Sequence, residues 1–342
     1  HSAGSQTSHT KHAINIGYSS RGPIHSNHTT SLGYQVGYSV SGVHDSNLIG
    51  KEAGSLMDSG NRINVIGYSG GHQSYCLSDV NSIGTLSTEQ ASGLRNVNAF
   101  GHESAKGASE LVHVDALGFR SASGMLNSEK TVAIGSSAGL NASGIASGVF
   151  IGDQAGFKSS GNQIGSIYIG HSAGANSHHM PRSVGIGASA LNVASGDKLI
   201  ALGNQAGMAS SGCDEVVSIG DQSSKNGNNL RKSIMIGRQA GAEASGTVSG
   251  PTDTASFDIF IGEQAGYRSL SDGASTAIGY AANWKSYQNT SSIFIGTSAG
   301  LSTQHANKSM HIGDQAGAEA YGSVECIYLG DRAGSSSSGD YL

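Results

Sequence analysis

The chain has 342 residues and a formal net charge of −5, with 52 glycines, 3 prolines and 3 cysteines. It has no basic excess and thus lacks the electrostatic footprint of a nucleic-acid-binding protein, and no apolar run approaches the roughly 18 residues of a membrane-spanning helix. Glycine is abundant but does not occur at every third residue, which excludes collagen.

A glycine preceded by a large apolar residue recurs from one end of the chain to the other. Of the 18 intervals between these glycines, 14 are 17 residues long, two are 16, one is 18 and one is 25. A fixed period of this size is typical of a solenoid, in which short coils stack on one another. The repeat glycines are Gly17, Gly33, Gly50, Gly67, Gly84, Gly101, Gly118, Gly135, Gly152, Gly170, Gly187, Gly203, Gly220, Gly237, Gly262, Gly279, Gly296, Gly313 and Gly330.

Each coil can be numbered from its repeat glycine as position zero. Positions −3 and −1 are apolar in most coils, and this period-two alternation predicts a short strand with one buried face. Alanine at +3, glycine at +4 and a Ser-Gly pair at +8 and +9 predict two tight turns per coil. The sequence therefore predicts an all-β fold, a parallel β-solenoid (a β-helix or β-roll) that runs as one domain over residues 1–342. About 20 coils at roughly 4.8 Å each would give a rod of roughly 90–100 Å.

Position −3 is polar in the early coils, where it is Asn47, Asn64, Asn81 and Asn98, followed by Asp115. Stacked amides can hydrogen-bond along an axis, so we expect an asparagine ladder. The same column is aliphatic in later coils, so we expect it to point inward. The alternative is a polar binding stripe on the surface.

Position −2 carries large side chains in the later coils. Because it alternates with −3 and −1, we expect it to face outward and to contact sugar rings or a neighbouring subunit. The candidate binding residues of this outer aromatic column are Phe150, Tyr168, Phe260, Phe294 and Tyr328.

The long interval between Gly237 and Gly262 predicts an inserted loop around residues 246–257, which is either a tolerated surface loop or a functional one. The three cysteines, Cys76, Cys213 and Cys326, occupy different positions of the coil. We therefore expect neither disulfides nor metal ligation by them.

Three patterns imitate catalytic or metal sites. Residues 67–71 match the nucleophile elbow, but no helix follows, and the Gly-Tyr-Ser segment recurs elsewhere in the chain. Asp314 and Asp331 could form a stacked carboxylate pair, but position +1 is otherwise variable. The histidine pairs lack the cysteine or carboxylate company of a metal site. We therefore expect no enzyme, no catalytic residue, no metal and no cofactor.

Residues 149–156, Val-Phe-Ile-Gly-Asp-Gln-Ala-Gly, resemble the I-G-x-x-A-G repeats of phage-type tail fibres. They are also similar to the head repeats of trimeric autotransporter adhesins. The resemblance implies a homotrimeric structural and adhesive fibre that projects from a virion or cell, outside the cell, and binds a host surface glycan or receptor. Nucleic acid and membrane insertion are not expected.

Two other functions remain open. A glycan-degrading β-helix spike enzyme would need paired carboxylates in a groove. An ice-binding β-solenoid would need a flat, regular rank of threonine or serine on an outer face.

Overall fold

The computed structural model describes residues 11–20, 25, 27–40, 42–57, 60–75, 78–246 and 257–339. These residues form parallel strands and turns at the 17-residue spacing, and no helix, so the predicted all-β parallel β-solenoid is confirmed. About 17 turns are formed, against the roughly 20 predicted from the full length. No described segment forms a helix long and apolar enough to cross a membrane. By its contacts the chain divides into two compact units, His1–Ala175 and Asn176–Leu342.

In the first unit, most strands carry the residues that precede the repeat glycines and pair in parallel with the equivalent strand one coil away. Asn64 pairs with Asn81, for example, and Phe150 pairs with Tyr168. The short strands β9 and β11 pair on a second side of the coil. The strands of this unit are β1 (Lys11–Ile16), β2 (Asn27–Leu32), β3 (His44–Ile49), β4 (Arg62–Ile66), β5 (Val80–Ile83), β6 (Val97–Phe100), β7 (Ser109–Leu117), β8 (Leu126–Ile134), β9 (Ile145–Ala146), β10 (Val149–Ile151), β11 (Gln163–Ile164) and β12 (Ile167–Ile169).

The second unit repeats this plan with shorter strands. Met235 pairs with Phe260 across the 25-residue interval, so the insertion leaves the register of the ladder unchanged. Residues 247–256 of the predicted loop lie outside the described residues. The strands are β13 (Val184–Ile186), β14 (Gly196–Asp197), β15 (Ile200–Leu202), β16 (Cys213–Asp214), β17 (Val217–Ile219), β18 (Ile234–Ile236), β19 (Ser245–Gly246), β20 (Ile259–Ile261), β21 (Leu270–Asp272), β22 (Thr276–Ile278), β23 (Ile293–Ile295), β24 (Met310–Ile312) and β25 (Ile327–Leu329).

The repeat glycine marks a place where the backbones of successive coils approach closely. Gly135 has a φ of 130°, and a Cβ built on it would lie 2.5 Å from the carbonyl oxygen of Gly152 in the next coil. No L-residue fits this combination of conformation and space. This close approach explains why the glycine, rather than its apolar neighbour, is invariant along the repeat.

Position −2 points into the core, together with positions +3 and +4. Phe294 at −2 faces Gly300 at +4 of the same coil, where an added Cβ would overlap the phenyl ring. Where −2 is Gly185 instead, position +4 is Leu191, which is fully buried. A large residue at one position is thus matched by a small one at the other, which keeps the thin interior filled.

The prediction that positions −3 and −1 face the core is therefore wrong. The strands alternate as predicted, but with the opposite parity: Phe294 is 0% exposed, whereas its neighbour Ile295 is 36% exposed. Large aliphatic residues that the pattern assigned to the interior lie instead on the outer face of each sheet.

Buried serines at position −4 satisfy backbone groups that so thin a core leaves without partners. The Ser292 hydroxyl donates to the carbonyl of Ala306 at 2.7 Å and accepts the N–H of Ser309 at 3.2 Å. Ser309 in turn donates to the carbonyl of Ser323 at 2.7 Å. These side chains therefore link neighbouring coils, since a buried polar group needs a partner.

Two of the three cysteines, Cys213 and Cys326, are buried, and neither forms a disulfide with another described residue. Burial raises the pKa of the Cys213 thiol to about 11, which leaves it unreactive at neutral pH. Cys76 lies outside the described residues.

Candidate binding surfaces

The five predicted binding residues do not form an outer column. Phe150, Tyr168, Phe260 and Phe294 are fully buried, and Tyr328 is half-buried. The rings of Phe150 and Tyr168 stack in the core with centroids 5.5 Å apart. The Tyr168 hydroxyl donates to the side chain of Gln163 at 2.7 Å. The interpretation of position −2 as an outer binding column is wrong, because a ligand cannot reach the four fully buried rings.

Exposed rings lie at position +1 of the first unit instead. Tyr18 stacks on Tyr34 with centroids 5.3 Å apart, and His102 stacks on Phe119 at the same spacing. The Lys51 ammonium lies 5.1 Å from the centroid of the Tyr68 ring. Each stacked pair covers one face of both of its rings, yet Tyr18, Tyr34 and Phe119 remain 42–56% exposed. The shared position of these rings in the repeat was a signal that sequence reasoning missed.

The asparagine ladder is present, and its hydrogen bonds are confirmed. Asn47 donates to Asn64 at 2.9 Å, Asn64 to Asn81 at 3.0 Å, Asn81 to Asn98 at 2.8 Å, and Asn98 to Asp115 at 2.6 Å. The ladder lies on the outer face, however, so the prediction that it points inward is wrong. It organises the surface of the first unit rather than its core.

A second amide ladder, at position +2 of the second unit, was not predicted. Gln222 donates to Gln205 at 3.2 Å, Gln239 to Gln222 at 3.0 Å, and Gln264 to Gln239 at 2.9 Å. The recurring glutamine two residues after the repeat glycine carried the signal. Like the asparagine ladder, it connects coils along the surface.

Both units present an apolar outer face, which we call the isoleucine face. Its residues are the aliphatic side chains at −1 and −3, each 36–64% exposed. Monomeric proteins rarely expose contiguous apolar patches on this scale. In the first unit these are Ile14, Ile16, Leu32, Ile66, Ile83, Leu117 and Ile134; in the second, Ile186, Ile200, Ile219, Ile234, Ile236, Ile261, Ile278, Ile295, Ile327 and Leu329.

A groove of about 590 Å³ crosses five successive coils of the first unit. The small residues Gly93, Gly144 and Ala146 leave space in it, and charged and amide side chains form its walls. Its lining is Gly93, Arg95, Glu110, Val112, Asn127, Glu129, Gly144, Ile145, Ala146, Asn162 and Ile164. This volume is in the range of small-molecule binding sites.

The three sequence patterns that resemble catalytic or metal sites do not form such sites among the described residues. The Ser69 hydroxyl donates to Glu52 at 3.2 Å, and the buried Nδ1 of His72 has no hydrogen-bond partner, so no serine–histidine pair forms there. Asp314 and Asp331 are both exposed. No group of three potential metal ligands occurs among the described residues.

One histidine lies in the core. His311 occupies position −2, is fully buried, and packs between Phe294 and Tyr328 with ring centroids 4.9 Å from each. Neither ring nitrogen makes a hydrogen bond of good geometry. Burial lowers the pKa of His311 from 6.5 to about 4, and the backbone at Ala316 offsets only part of this shift.

Acid is therefore expected to destabilise the coils around His311. In the unfolded chain His311 binds a proton below pH 6.5, but in the folded chain it does so only near pH 4. The stability of the folded chain is therefore not reduced by this histidine above pH 6.5. It then falls by about 3 kcal/mol as the pH drops to about 4. His311→Phe should remove this dependence, measured by amide hydrogen exchange of residues 294–328 at pH 7 and pH 4.5. His171→Phe, at a side chain that is 63% exposed, should leave it unchanged. An equal acid loss in His311→Phe would show that another group is responsible.

Comparison with known proteins does not assign the chain to a family. No protein-family model matches the sequence, and no curated protein matches it. The functional argument therefore depends on the surfaces described above.

Proposed function

We propose that the chain is a non-catalytic structural and adhesive fibre protein that assembles as a homotrimer on the outside of a virion or cell and binds a surface glycan or receptor. The β-solenoid is compatible with a fibre or adhesin. The isoleucine face is the observation that carries the proposal. Its exposed aliphatic side chains recur in most coils and need a partner of the same periodicity, which a second and a third copy of the chain supply.

The charges of the outer surface favour a structural role as well. Many of them pair between neighbouring coils, as Arg120 does with Glu103 at 3.2 Å and Lys198 with Glu215 at 2.6 Å. Pairing between neighbouring coils ties the coils to one another along the surface, as a structural scaffold requires.

The assembly is tested by placing a charge on the isoleucine face. Ile236 is 37% exposed, so Ile236→Lys should fold as a monomer but should dissociate the trimer, because burying an unpaired ammonium in an apolar interface is costly. Sedimentation equilibrium should give three chain masses for the wild type and a smaller species for the variant. Thr297→Lys, at an exposed position +1, is the matched control and should remain trimeric.

A wild-type chain that sediments as a monomer would contradict the trimer. The adhesive part is tested separately, by flow cytometry of bacterial and animal cells exposed to the fluorescently labelled protein. Absence of binding to every surface tried would contradict an adhesive role and leave a purely structural one.

A further inference from the structure

The groove in the first unit is lined by charged side chains that are not paired within the described part of the chain, whereas many other surface charges form ion pairs. Arg95, Glu110 and Glu129 line it, and none of these side chains has a hydrogen bond or an ion pair with another described residue. At positions +2 and +5 of the same coils, Lys106 bonds to Glu89 at 2.9 Å and Arg120 to Glu103 at 3.2 Å. Opposite charges at neighbouring coils thus pair on the adjoining surface but stay apart around the groove.

The repeat explains why the groove is concave. Its walls stand at positions +9 and +11, where Glu110, Asn127 and Glu129 carry long or polar side chains. In the preceding coil position +9 is Gly93, and in the following coil positions +9 and +11 are Gly144 and Ala146, small residues that leave space beside these walls. The concavity comes from side-chain size on a regular backbone, so the site is formed without a bound ligand.

The groove also lies apart from the isoleucine face. Strand β7 turns a corner at Val112 and His113, two successive residues that both point outward, with a φ of 54° at His113. The groove is lined by Glu110 before this corner and by Val112 at it, whereas the isoleucine face follows the corner at Leu117. Assembly through the isoleucine face therefore leaves the groove accessible.

The lining fits a polyhydroxylated ligand. Arg95 supplies only donors, Glu110 and Glu129 supply only acceptors, and the Asn127 amide supplies both. A sugar hydroxyl can donate one hydrogen bond and accept another. Two adjacent hydroxyls can therefore bind the two polar atoms of one carboxylate, amide or guanidinium group. Ile164, which is 49% exposed, adds an apolar surface for the C–H groups of a sugar ring.

We infer that the groove lined by Arg95, Glu110, Asn127 and Glu129 binds a short neutral oligosaccharide. The two carboxylates outnumber the single arginine, which disfavours an acidic sugar. This inference rests on the proposed function, since it names the class of receptor and the part of the adhesive fibre that contacts it.

The test is saturation-transfer NMR of the full chain with lactose, cellobiose, maltose and N,N′-diacetylchitobiose as probes. At least one should bind. Arg95→Ala and Glu129→Ala should each weaken its binding about tenfold, since each removes a charged hydrogen-bonding group. Neither residue has a positive φ, so neither change disturbs the backbone. Ala146→Trp fills the space beside Glu129 and should abolish binding.

Arg62→Ala is the control, because it removes an arginine with 73% side-chain exposure in the same unit but outside the groove. It should bind as the wild type does. If no disaccharide binds, or if the groove variants bind as tightly as the control, the inference is overturned. A trimer that still adheres to cells in that case would leave the fibre function standing, whereas a monomer that adheres to no surface would overturn the fibre function itself.

Discussion

Replacing Gly118 with alanine is expected to unfold the coils around it. Gly118 has a φ of 137°, and the new Cβ would lie 2.5 Å from the carbonyl oxygen of Gly135. The strained φ belongs to the backbone itself, and the atom that the new Cβ would overlap is also a backbone atom. No side chain can therefore move aside to relieve the strain. We expect a loss of about 3 kcal/mol or more in the free energy of unfolding, from strain and overlap together.

Gly107→Ala is the matched control for this prediction. Gly107 has a φ of 63°, but no atom lies within 4 Å of a Cβ built on it, so only the cost of the left-handed conformation remains, about 1 kcal/mol. Urea unfolding gives the two losses, and amide hydrogen exchange shows which coils open. Similar losses in the two variants would mean that contact between coils is not what requires the repeat glycine.

Removing the Phe294 ring is expected to have the second large effect. Phe294→Ala should cost about 3–5 kcal/mol, because the ring is fully buried and leaves a cavity. Gly300→Leu alone should also destabilise strongly, since its Cβ overlaps that ring. The double variant should be more stable than the sum of the two losses predicts, because the leucine then fills the vacated space, as Leu191 does beside Gly185.

The measurement is a double-mutant cycle by urea unfolding, with a favourable coupling of about 1–3 kcal/mol expected. Phe294→Ala with Gly107→Ala serves as the control pair, since Gly107 has no neighbour to couple to. Additive losses in the Phe294–Gly300 pair would show that the two positions do not share one volume.

Much of the fold could be predicted from the period alone. The spacing of the repeat glycines gave the coil length, and the alternation before each glycine placed strands where β10, β12 and β17 are found. The prediction of which alternate residues face the core was wrong, because the β-branched residues at −3 and −1 were assigned to the interior. A coil of 17 residues encloses too little space for two large side chains per strand, so those residues remain outside.

The correct parity could also have been predicted. A large residue at −2 coincides with glycine at +4 in Phe294–Gly300, and the order is reversed in Gly185–Leu191. Positions that compensate in volume share a core. The groove is a different case, because it forms only where five coils bring unlike residues side by side, and no single repeat shows it.

The carboxylate at the end of the asparagine ladder fixes the direction of the amide dipoles along it. An ionised carboxylate only accepts hydrogen bonds, so Asp115 obliges Asn98 to turn its NH₂ group toward it. The oxygen of Asn98 must then accept from Asn81, and the same requirement passes to Asn64 and Asn47. One acidic residue at the end of the row thereby sets the orientation of four amides, which align head to tail with their positive ends toward its charge.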